Sequence, residues 1–303
     1  MIKEKVLGWV LLTGLSCSAQ AVPDLTRQVE YSWDQQPSSL YQFERYTLSS
    51  ADGERRYRVT LAKPRAAKPE QGYPVLYTLD GNAVLNALDD SILAAMSGGD
   101  WPVVVAIGYD TELYFDTQAR SFDYTFTSAQ SPEDGRIYGG AESFWQLLES
   151  RVKPLVQSRV SLDPTRQTLW GHSFGGLFVL HVLFNHPNSY QGYVAADPSL
   201  WWQDGLILKH EQLATQSSEH SLIRVALQRS SSRRSTDTLP EDATRQLALR
   251  LSAWHSLQVE YHEYFAHNHG SLLAASLPEA LRISQLVGSL ADTARKQRES
   301  LHL

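Results

Sequence analysis

Short stretches in which nearly every residue is apolar recur along the chain and constrain its fold most strongly. They run from Pro74 to Leu79, Val103 to Ile107, Thr168 to Trp170, Tyr193 to Ala196 and Leu222 to Leu227. Strands of this length and composition are typical of a parallel sheet that is covered on both faces. Because amphipathic helical segments separate many of them, the pattern predicts a doubly wound, mostly parallel α/β sheet.

Two alternating stretches precede these runs. Tyr41 to Leu48 and Arg56 to Ala62 flank the turn-rich segment Ser49 to Gly53, which predicts an antiparallel hairpin at the edge of the sheet. The last strand is predicted at Val259 to Phe265. In such a sheet, ligands bind at the carboxyl ends of the strands. The segment from Asp110 to Gly140 has no clear helical period and is interpreted as a loop insertion that forms a lid or a pocket wall.

The N-terminus has the pattern of a secretory signal peptide. Lys3 and Lys5 precede an apolar run from Val6 to Leu15, and a stretch of small residues ends at Ala21. The run is shorter than the roughly 20 apolar residues that a membrane-spanning helix needs. We therefore expect cleavage after residue 21 and a single domain over residues 22–303, with the insertion around residues 110–140.

Removal of residues 1–21 leaves 25 basic and 32 acidic residues, a formal charge of −7, and also removes Cys17, the chain's one cysteine. Disulfides, thiolate catalysis and zinc sites built on cysteine are therefore excluded for the mature chain. The acidic balance argues against nucleic acid as the main partner.

Ser173 is the candidate nucleophile. Gly171-His172-Ser173-Phe174-Gly175 fits the pattern G-x-S-x-G between a predicted strand and an apolar helix, where a strained turn exposes the serine hydroxyl. We expect that a side chain at Gly171 or Gly175 would collide with its neighbours in this turn. The alternative is a glycine-rich turn with an incidental serine, which is less consistent with a histidine after the last strand.

That histidine must act as the base, because a serine hydroxyl is a weak nucleophile until a neighbouring group takes its proton. The loop after the last predicted strand contains two candidates, His267 and His269. A metal site formed by these two and His262 is an alternative, but no carboxylate completes a compact ligand set. The oxyanion would be held by backbone N–H groups of Phe174 and of the loop Asp80-Gly81-Asn82.

Five motifs in order resemble one family. They are Leu76 to Asn82, Arg120 to Thr125, Gly171 to Gly176, Asp197 to Trp202 and Asn268 to Ser271. Together they resemble the esterase branch of the α/β-hydrolase superfamily, most of all the periplasmic siderophore esterases that hydrolyse the trilactone of enterobactin or its glucosylated form, salmochelin. The resemblance runs from about Phe43 to Leu286 and implies an α/β-hydrolase fold, ester hydrolysis and a periplasmic location.

The resemblance also implies roles for single residues. It selects His269 over His267 as the base and places an oxyanion donor at Asn82. One departure concerns the acid of a catalytic triad. Many relatives carry a glycine and an acid after the strand that ends near Leu227, whereas this chain has Gln228-Arg229-Ser230. Candidate acids are Asp237, Glu241 and Asp242, and a Ser–His dyad without an acid is also allowed.

The implied substrate, ferric enterobactin, is a trianion with three flat catecholates, so its pocket should be cationic and aromatic. Candidate contacts at the carboxyl edge are Arg120, Trp201, Arg229, Arg233 and Arg234. The alternatives are a solvated arginine loop and a packed tryptophan. No cofactor is expected, since the iron enters as part of the substrate.

Two other functions stay open. A hydrolase of the same branch would act on a feruloyl, acetyl or thioester substrate, and it would have no need of an arginine-lined pocket. A siderophore-binding protein with a silent esterase site would keep the motifs without the reactivity. The sequence predicts no transmembrane segment and does not indicate an oligomeric state.

Overall fold

The computed structural model describes residues 26–30, 38–94, 98–214, 222–231 and 239–288. The strands are β1 (Tyr41–Ser49), β2 (Arg56–Pro64), β3 (Tyr73–Thr78), β4 (Val103–Tyr109), β5 (Ala129–Gln130), β6 (Ile137–Tyr138), β7 (Leu162–His172), β8 (Gly192–Ala196), β9 (Ile223–Ser230) and β10 (Leu257–Tyr264). The helices are α1 (Gly81–Ala87), α2 (Asp90–Ala94), α3 (Thr117–Asp123), α4 (Ala141–Leu147), α5 (Lys153–Gln157), α6 (Phe174–Asn185), α7 (Leu206–Leu213), α8 (Ala243–Leu251) and α9 (His269–Leu286).

Eight of the strands form one sheet in the order β1-β2-β4-β3-β7-β8-β9-β10. From β4 to β10 the neighbouring strands are parallel, whereas β1 pairs antiparallel with β2 and β2 antiparallel with β4. The predicted α/β architecture, with antiparallel N-terminal strands, is confirmed. Every strand predicted from an apolar or alternating stretch is present, with its ends shifted by a few residues.

The continuous apolar character of the central strands follows from packing on both faces. In β3, Val75 and Tyr77 face one core together with residues of α4, α6 and α8, whereas Leu76 faces a second core with α1 and α9. Successive side chains of a strand point to opposite faces, so a strand covered on both sides must be apolar at every position. Each buried Val or Leu contributes about 1.5–3 kcal/mol relative to an exposed one.

The insertion around residues 110–140 is more regular than its sequence indicates. It contains the helix α3 and the two-stranded antiparallel sheet of β5 and β6. The interpretation of this segment as a loop was therefore wrong in part. Helix α3 has only seven residues, fewer than two turns, so no period could appear in the sequence. Its start is fixed by Asp116, whose side chain accepts the N–H of Ala119 at 3.0 Å.

Strand register brings the ends of three strands level. His172 is paired with Ala196, and Ala196 with Gln228, in the parallel ladders of β7, β8 and β9. The residues that follow these pairs therefore meet at one edge of the sheet. Within the described ranges, no helix combines the length and apolarity that crossing a bilayer requires. The predicted signal peptide, residues 1–21, lies outside the described residues.

Candidate active site

Ser173 lies in a sharp turn between the end of β7 and the start of α6. Its backbone has φ of 61° and ψ of −118°, values that non-glycine residues rarely adopt. The serine is 8% exposed, and its N–H donates to the carbonyl of Ala196 at 2.9 Å. The turn is thus the strained strand-to-helix connection that the G-x-S-x-G pattern predicts.

The two glycines of the pattern differ in how much space surrounds them. A Cβ on Gly171 would lie 2.4 Å from the carbonyl carbon and oxygen of Gly175, which is a clash between backbone segments. A Cβ on Gly175 would lie 3.5 Å from its nearest neighbour, a side-chain atom of Leu79, which is an ordinary contact. The prediction of a collision holds for Gly171 and was wrong for Gly175, because the nearest atoms to a Cβ there are side-chain atoms of Leu79 and Asp80 at 3.5–3.6 Å.

We expect Gly171→Ala to lower the free energy of unfolding by about 3 kcal/mol, because the clash can be relieved only by backbone movement. The matched control, Gly175→Ala, should change it by less than about 1 kcal/mol, since alanine is also the better helix former. Urea denaturation followed by circular dichroism measures both values. Equal stabilities of the two variants would contradict the close approach at Gly171.

His269 is the first residue of α9 and faces Ser173. Its Nε2 lies 3.1 Å from Ser173 Oγ, within hydrogen-bond reach. The start of the helix is fixed by a capping box, in which the Asn268 side chain accepts the N–H of Ser271 and the Ser271 hydroxyl accepts the N–H of Asn268. His267 does not share this position, because it precedes the cap and its ring lies against Tyr264. The structure therefore brings His269 to Ser173, as the family resemblance implied.

The acid beside His269 is Asp197, which sequence reasoning did not select. Its Oδ2 lies 2.9 Å from His269 Nδ1, and its carboxylate also accepts the N–H and the hydroxyl of Ser230. Burial alone would raise the pKa of Asp197, but the hydrogen bonds from His269 and Ser230 outweigh burial and place this pKa below its usual value of 3.8. The carboxylate is therefore charged at neutral pH.

Glu241 and Asp242, two of the three acids proposed from the sequence, have other partners. Glu241 pairs with Arg229 at 3.4 Å, and Asp242 accepts a hydrogen bond from Gln246 at 2.8 Å. Asp237 lies outside the described residues. For Glu241 and Asp242, and for the option of a dyad, the structure gives a different arrangement, since the carboxylate beside His269 Nδ1 is that of Asp197. The sequence showed only that Asp197 directly follows a predicted strand, Tyr193 to Ala196, and the strand order that brings it beside the nucleophile loop comes from the structure.

The two predicted oxyanion donors both lie in the first turn of a helix. Phe174 is the first residue of α6, and Asn82 is the second residue of α1, so neither N–H has a partner inside its own helix. The Asn82 side chain donates to the carbonyls of Tyr109, Thr111 and Leu113 at 2.9–3.2 Å. This side chain therefore ties the start of α1 to the loop after β4.

Arg120 lies at the site, but its charge is already paired. Its Nε and an Nη atom each lie 2.9 Å from a different carboxylate oxygen of Asp80, and the two side chains are only 11% and 2% exposed. Burial would lower the pKa of Arg120, yet Asp80 holds it above its usual value. The guanidinium also lies 5.6 Å from the ring of Phe174. Because Asp80 precedes α1, this pair supports the loop that carries Asn82.

Breaking this buried pair should be costly. We expect Arg120→Met alone to lower the free energy of unfolding by about 3–5 kcal/mol, because it leaves the Asp80 carboxylate buried without a cation. The double variant Arg120→Met with Asp80→Asn should recover more than half of that loss. Chemical denaturation of the four proteins in this cycle measures the coupling, and additive losses would contradict it.

Of the other predicted substrate contacts, the structure describes Trp201 and Arg229. Trp201 packs against Phe174 with ring centroids 5.9 Å apart, and it is partly buried. Arg229 lies at the end of β9 with a side chain that is 15% exposed and paired with Glu241. Arg233 and Arg234 lie outside the described residues.

From the insertion, the ring of Tyr138 meets the ring of Phe174 edge-on, with the ring centroids 6.5 Å apart, so the insertion forms one wall of the site.

The histidines considered for a metal site do not converge. His262 lies near Glu260 and Glu279, whereas His269 lies near Asp197 and His172, so the two belong to different clusters. In the second cluster, the ligand atoms lie within 4.8 Å of one another, but Asp197 and His269 bond each other directly. This arrangement is a hydrogen-bonded series from Ser173 to His269 to Asp197, in which the carboxylate orients the imidazole rather than taking its proton.

Sequence comparison shows which known proteins the chain is similar to. Residues 50–282 match the family described as "Putative esterase". The ferri-bacillibactin esterase BesA of Bacillus subtilis is 33% identical over 253 residues, which cover 78% of this chain and 87% of that protein. The apo-salmochelin esterase of Escherichia coli O6:H1 is 43% identical over 194 residues, 61% of this chain, and the match spans 60% of that relative's length.

Solved structures extend the similarity to the fold. A structure of the enterobactin hydrolase IroE in complex with DFP superimposes with a TM-score of 0.73 at 33% identity, covering 83% of this chain and 98% of that one. The structure of the BES protein from Bacillus cereus superimposes with a TM-score of 0.70 at 29% identity, covering 81% and 96%. The fold is the α/β-hydrolase fold.

Proposed function

Because the chain belongs to the esterase family that its residues 50–282 match, we propose that it hydrolyses the trilactone ester bonds of enterobactin-type catecholate siderophores. The observation that carries this proposal is the contact of Ser173, His269 and Asp197 at the carboxyl edge of the sheet. Relatives named for salmochelin, bacillibactin and enterobactin support the substrate class. The signal-like residues 1–21 support a periplasmic location.

In the proposed reaction, His269 takes the proton of the Ser173 hydroxyl through Nε2 as Oγ attacks a lactone carbonyl. The Asp197 carboxylate accepts Nδ1–H of His269, which fixes the tautomer with a free Nε2 and stabilises the imidazolium that forms. His269 then returns the proton to the departing alkoxide, and an ester between Ser173 and the acyl group remains. Water, deprotonated by His269, hydrolyses this acyl-enzyme.

The carbonyl oxygen becomes an oxyanion during the attack. We assign its stabilisation to the backbone N–H groups of Asn82 and Phe174, each in the first turn of a helix. Phe174 opens the twelve-residue α6, whose positive dipole end favours the negative charge. Nucleophile, base and oxyanion donors are thus all supplied by the chain, and the proposed hydrolysis uses no metal of the protein's own.

Substrate contacts are proposed for the aromatic and cationic residues around Ser173. Trp201, which is partly exposed and packs on the buried ring of Phe174, offers an aromatic surface beside the nucleophile, suited to a flat catechol ring. Arg229, Arg233 and Arg234 would interact with catecholate oxygens, and any iron would arrive with the siderophore. Arg120 acts through Asp80 and the oxyanion loop in this proposal, since its cation is already paired.

The product profile tests the proposal. The purified protein is incubated with enterobactin, iron-free and ferric, and the products are followed by mass spectrometry. We expect the linear trimer first and shorter dihydroxybenzoyl-serine species later, each step adding one water. Absence of any linear product, with both forms of the substrate, would overturn the proposed substrate.

One observation favours a second candidate, an esterase for a neutral acyl substrate. The two arginines proposed as substrate contacts that the structure describes are each paired with an acid, Arg120 with Asp80 and Arg229 with Glu241, which lowers the positive charge available for a trianion. Feruloyl, acetyl and thioester substrates assayed in parallel distinguish the two candidates. Failure of all substrates and of serine labelling by a fluorophosphonate would instead indicate a binding protein with a silent site.

A further inference from the structure

His172 separates Gly171 from Ser173 and is the last residue of β7, yet its side chain takes no part in the proposed proton transfer. It is buried, with 3% of its surface exposed. Its Nε2 lies 2.8 Å from the backbone carbonyl oxygen of His269, and the two imidazole rings lie 4.6 Å apart. The side chain thus connects the strand that carries the nucleophile to the residue that carries the base.

The contact defines the protonation of His172. A carbonyl oxygen only accepts, so Nε2 must carry the hydrogen and donate it. Burial lowers the pKa of His172 well below its usual 6.5, and the neighbouring His269 lowers it further, so the ring is neutral. A neutral donor suits this position, because a second cation 4.6 Å away would oppose the imidazolium that His269 becomes during the attack.

The other ring nitrogen of His172, Nδ1, does not hold the side chain in another hydrogen bond within the described residues. Nδ1 of His172 is buried and has no hydrogen-bond partner within the ranges that the structure describes. The described hydrogen bond of the His172 ring therefore joins Nε2 to the backbone carbonyl of His269, not to its imidazole. Other anchors of this backbone are the caps formed by the exposed residues Asn268 and Ser271, and the N–H and hydroxyl of Ser231, which donate to the carbonyl of His267.

We propose that His172 is a positioning residue that holds the backbone of His269, so that the imidazole of His269 stays within proton-transfer distance of Ser173. This inference rests on the proposed function of these two residues. The hydrogen bond joins the end of β7 to the first turn of α9, the two elements whose relative position sets the distance between Ser173 Oγ and His269 Nε2, 3.1 Å. Asp197 orients the ring, and His172 places the atom from which the ring extends.

Two variants distinguish the loss of the hydrogen-bond donor of His172 from the loss of its side-chain volume. His172→Gln keeps an N–H donor at the end of a side chain of similar reach, whereas His172→Met fills comparable space without a donor. We expect kcat for ester hydrolysis to fall about 10- to 100-fold in the methionine variant, as for other small misplacements of catalytic groups. The KM should change less than twofold. The glutamine variant should retain kcat within about threefold, because the donor is restored.

A second buried histidine supplies the matched control. His181 lies in α6, bonds to Asn185 and stacks on Phe126, and burial lowers its pKa to about 4. His181→Met also removes a neutral buried imidazole, but it does not touch His269. We expect its kcat to stay within about twofold of the unchanged protein, measured at a temperature where circular dichroism shows every variant to be folded.

A fluorophosphonate probe makes the test independent of the siderophore, since its reaction rate reports how well His269 activates Ser173. Slow labelling of His172→Met with normal labelling of His172→Gln would support the inference, even if no siderophore is hydrolysed. Equal rates in the unchanged protein and His172→Met would overturn it, as would equal losses in both His172 variants or an equal loss in His181→Met. An unchanged protein that does not label would overturn both this inference and the proposed nucleophile.

Discussion

Replacing Ser173 by alanine should lower kcat/KM for trilactone hydrolysis by about 10⁶-fold, the loss seen when the nucleophile of a serine hydrolase is removed. The expectation follows from the 3.1 Å contact between Ser173 Oγ and His269 Nε2. Without the hydroxyl, His269 has no nucleophile to deprotonate. Alanine keeps the Cβ and therefore the strained φ of 61°, so the thermal midpoint should move by only a few degrees. Initial rates and thermal unfolding of the same preparation measure both effects.

Ser199→Ala is the control for this substitution. Ser199 is also buried, and its hydroxyl lies 3.3 Å from that of Ser173, but it has no contact with His269 in the described residues. We expect its loss of kcat/KM to stay below about tenfold, the scale of one neutral hydrogen bond. Undiminished turnover by Ser173→Ala, or an equal loss in both variants, would refute the assignment of the nucleophile.

Asp197→Asn is the second substitution with a large expected effect, a fall in kcat of about 10⁴-fold, as for the same change in a Ser-His-Asp triad. The reason lies in the partners of the carboxylate. The N–H of Ser230 donates to Oδ1, and an N–H can only donate, so the amide oxygen of asparagine must occupy that side. The amide NH₂ then faces His269 Nδ1 and leaves the proton on Nε2, where it blocks acceptance of the Ser173 proton.

Asp242→Asn is the matched control, since Asp242 was a candidate acid from the sequence and bonds to Gln246 instead. We expect its kcat to change less than twofold, as for a surface substitution away from the site. Steady-state assays at neutral pH compare the two variants. If Asp197→Asn retained full activity while Asp242→Asn lost it, the acid would have to be reassigned.

The fold was predictable because burial on both faces leaves a direct trace in the sequence. Val103 to Ile107 is apolar at every position since its side chains alternate between two cores. The short helix α3 left no such trace, because seven residues are too few to show a period and its position depends on the Arg120–Asp80 pair. The two partners of that pair are 40 residues apart in sequence, so neither the burial nor the neutralisation of Arg120 could be read from its neighbours.

The proximity of Ser173 and His269 was predictable for a different reason, since the position of each is fixed by local sequence around a turn. Ser173 needs the strand, the glycine and the helix beside it, and His269 follows the last strand. The position of Asp197 beside His269 depends on the order of the strands in the sheet instead. Only when β8 is known to lie between β7 and β9 does the residue after β8 become the one that can reach His269.

The origin of the acid has a consequence for how this protein can diversify. Asp197 is supplied by the loop after β8 and is held by Ser230 at the very end of β9, so none of Ser173, His269 and Asp197 comes from the segment between Ser230 and α8. We expect substitutions between Ser231, which bonds to the carbonyl of His267, and α8 to alter which acyl group is accepted while the three reactive residues stay in place. Selection for a new ester can therefore act on one loop, without first having to restore a damaged catalyst.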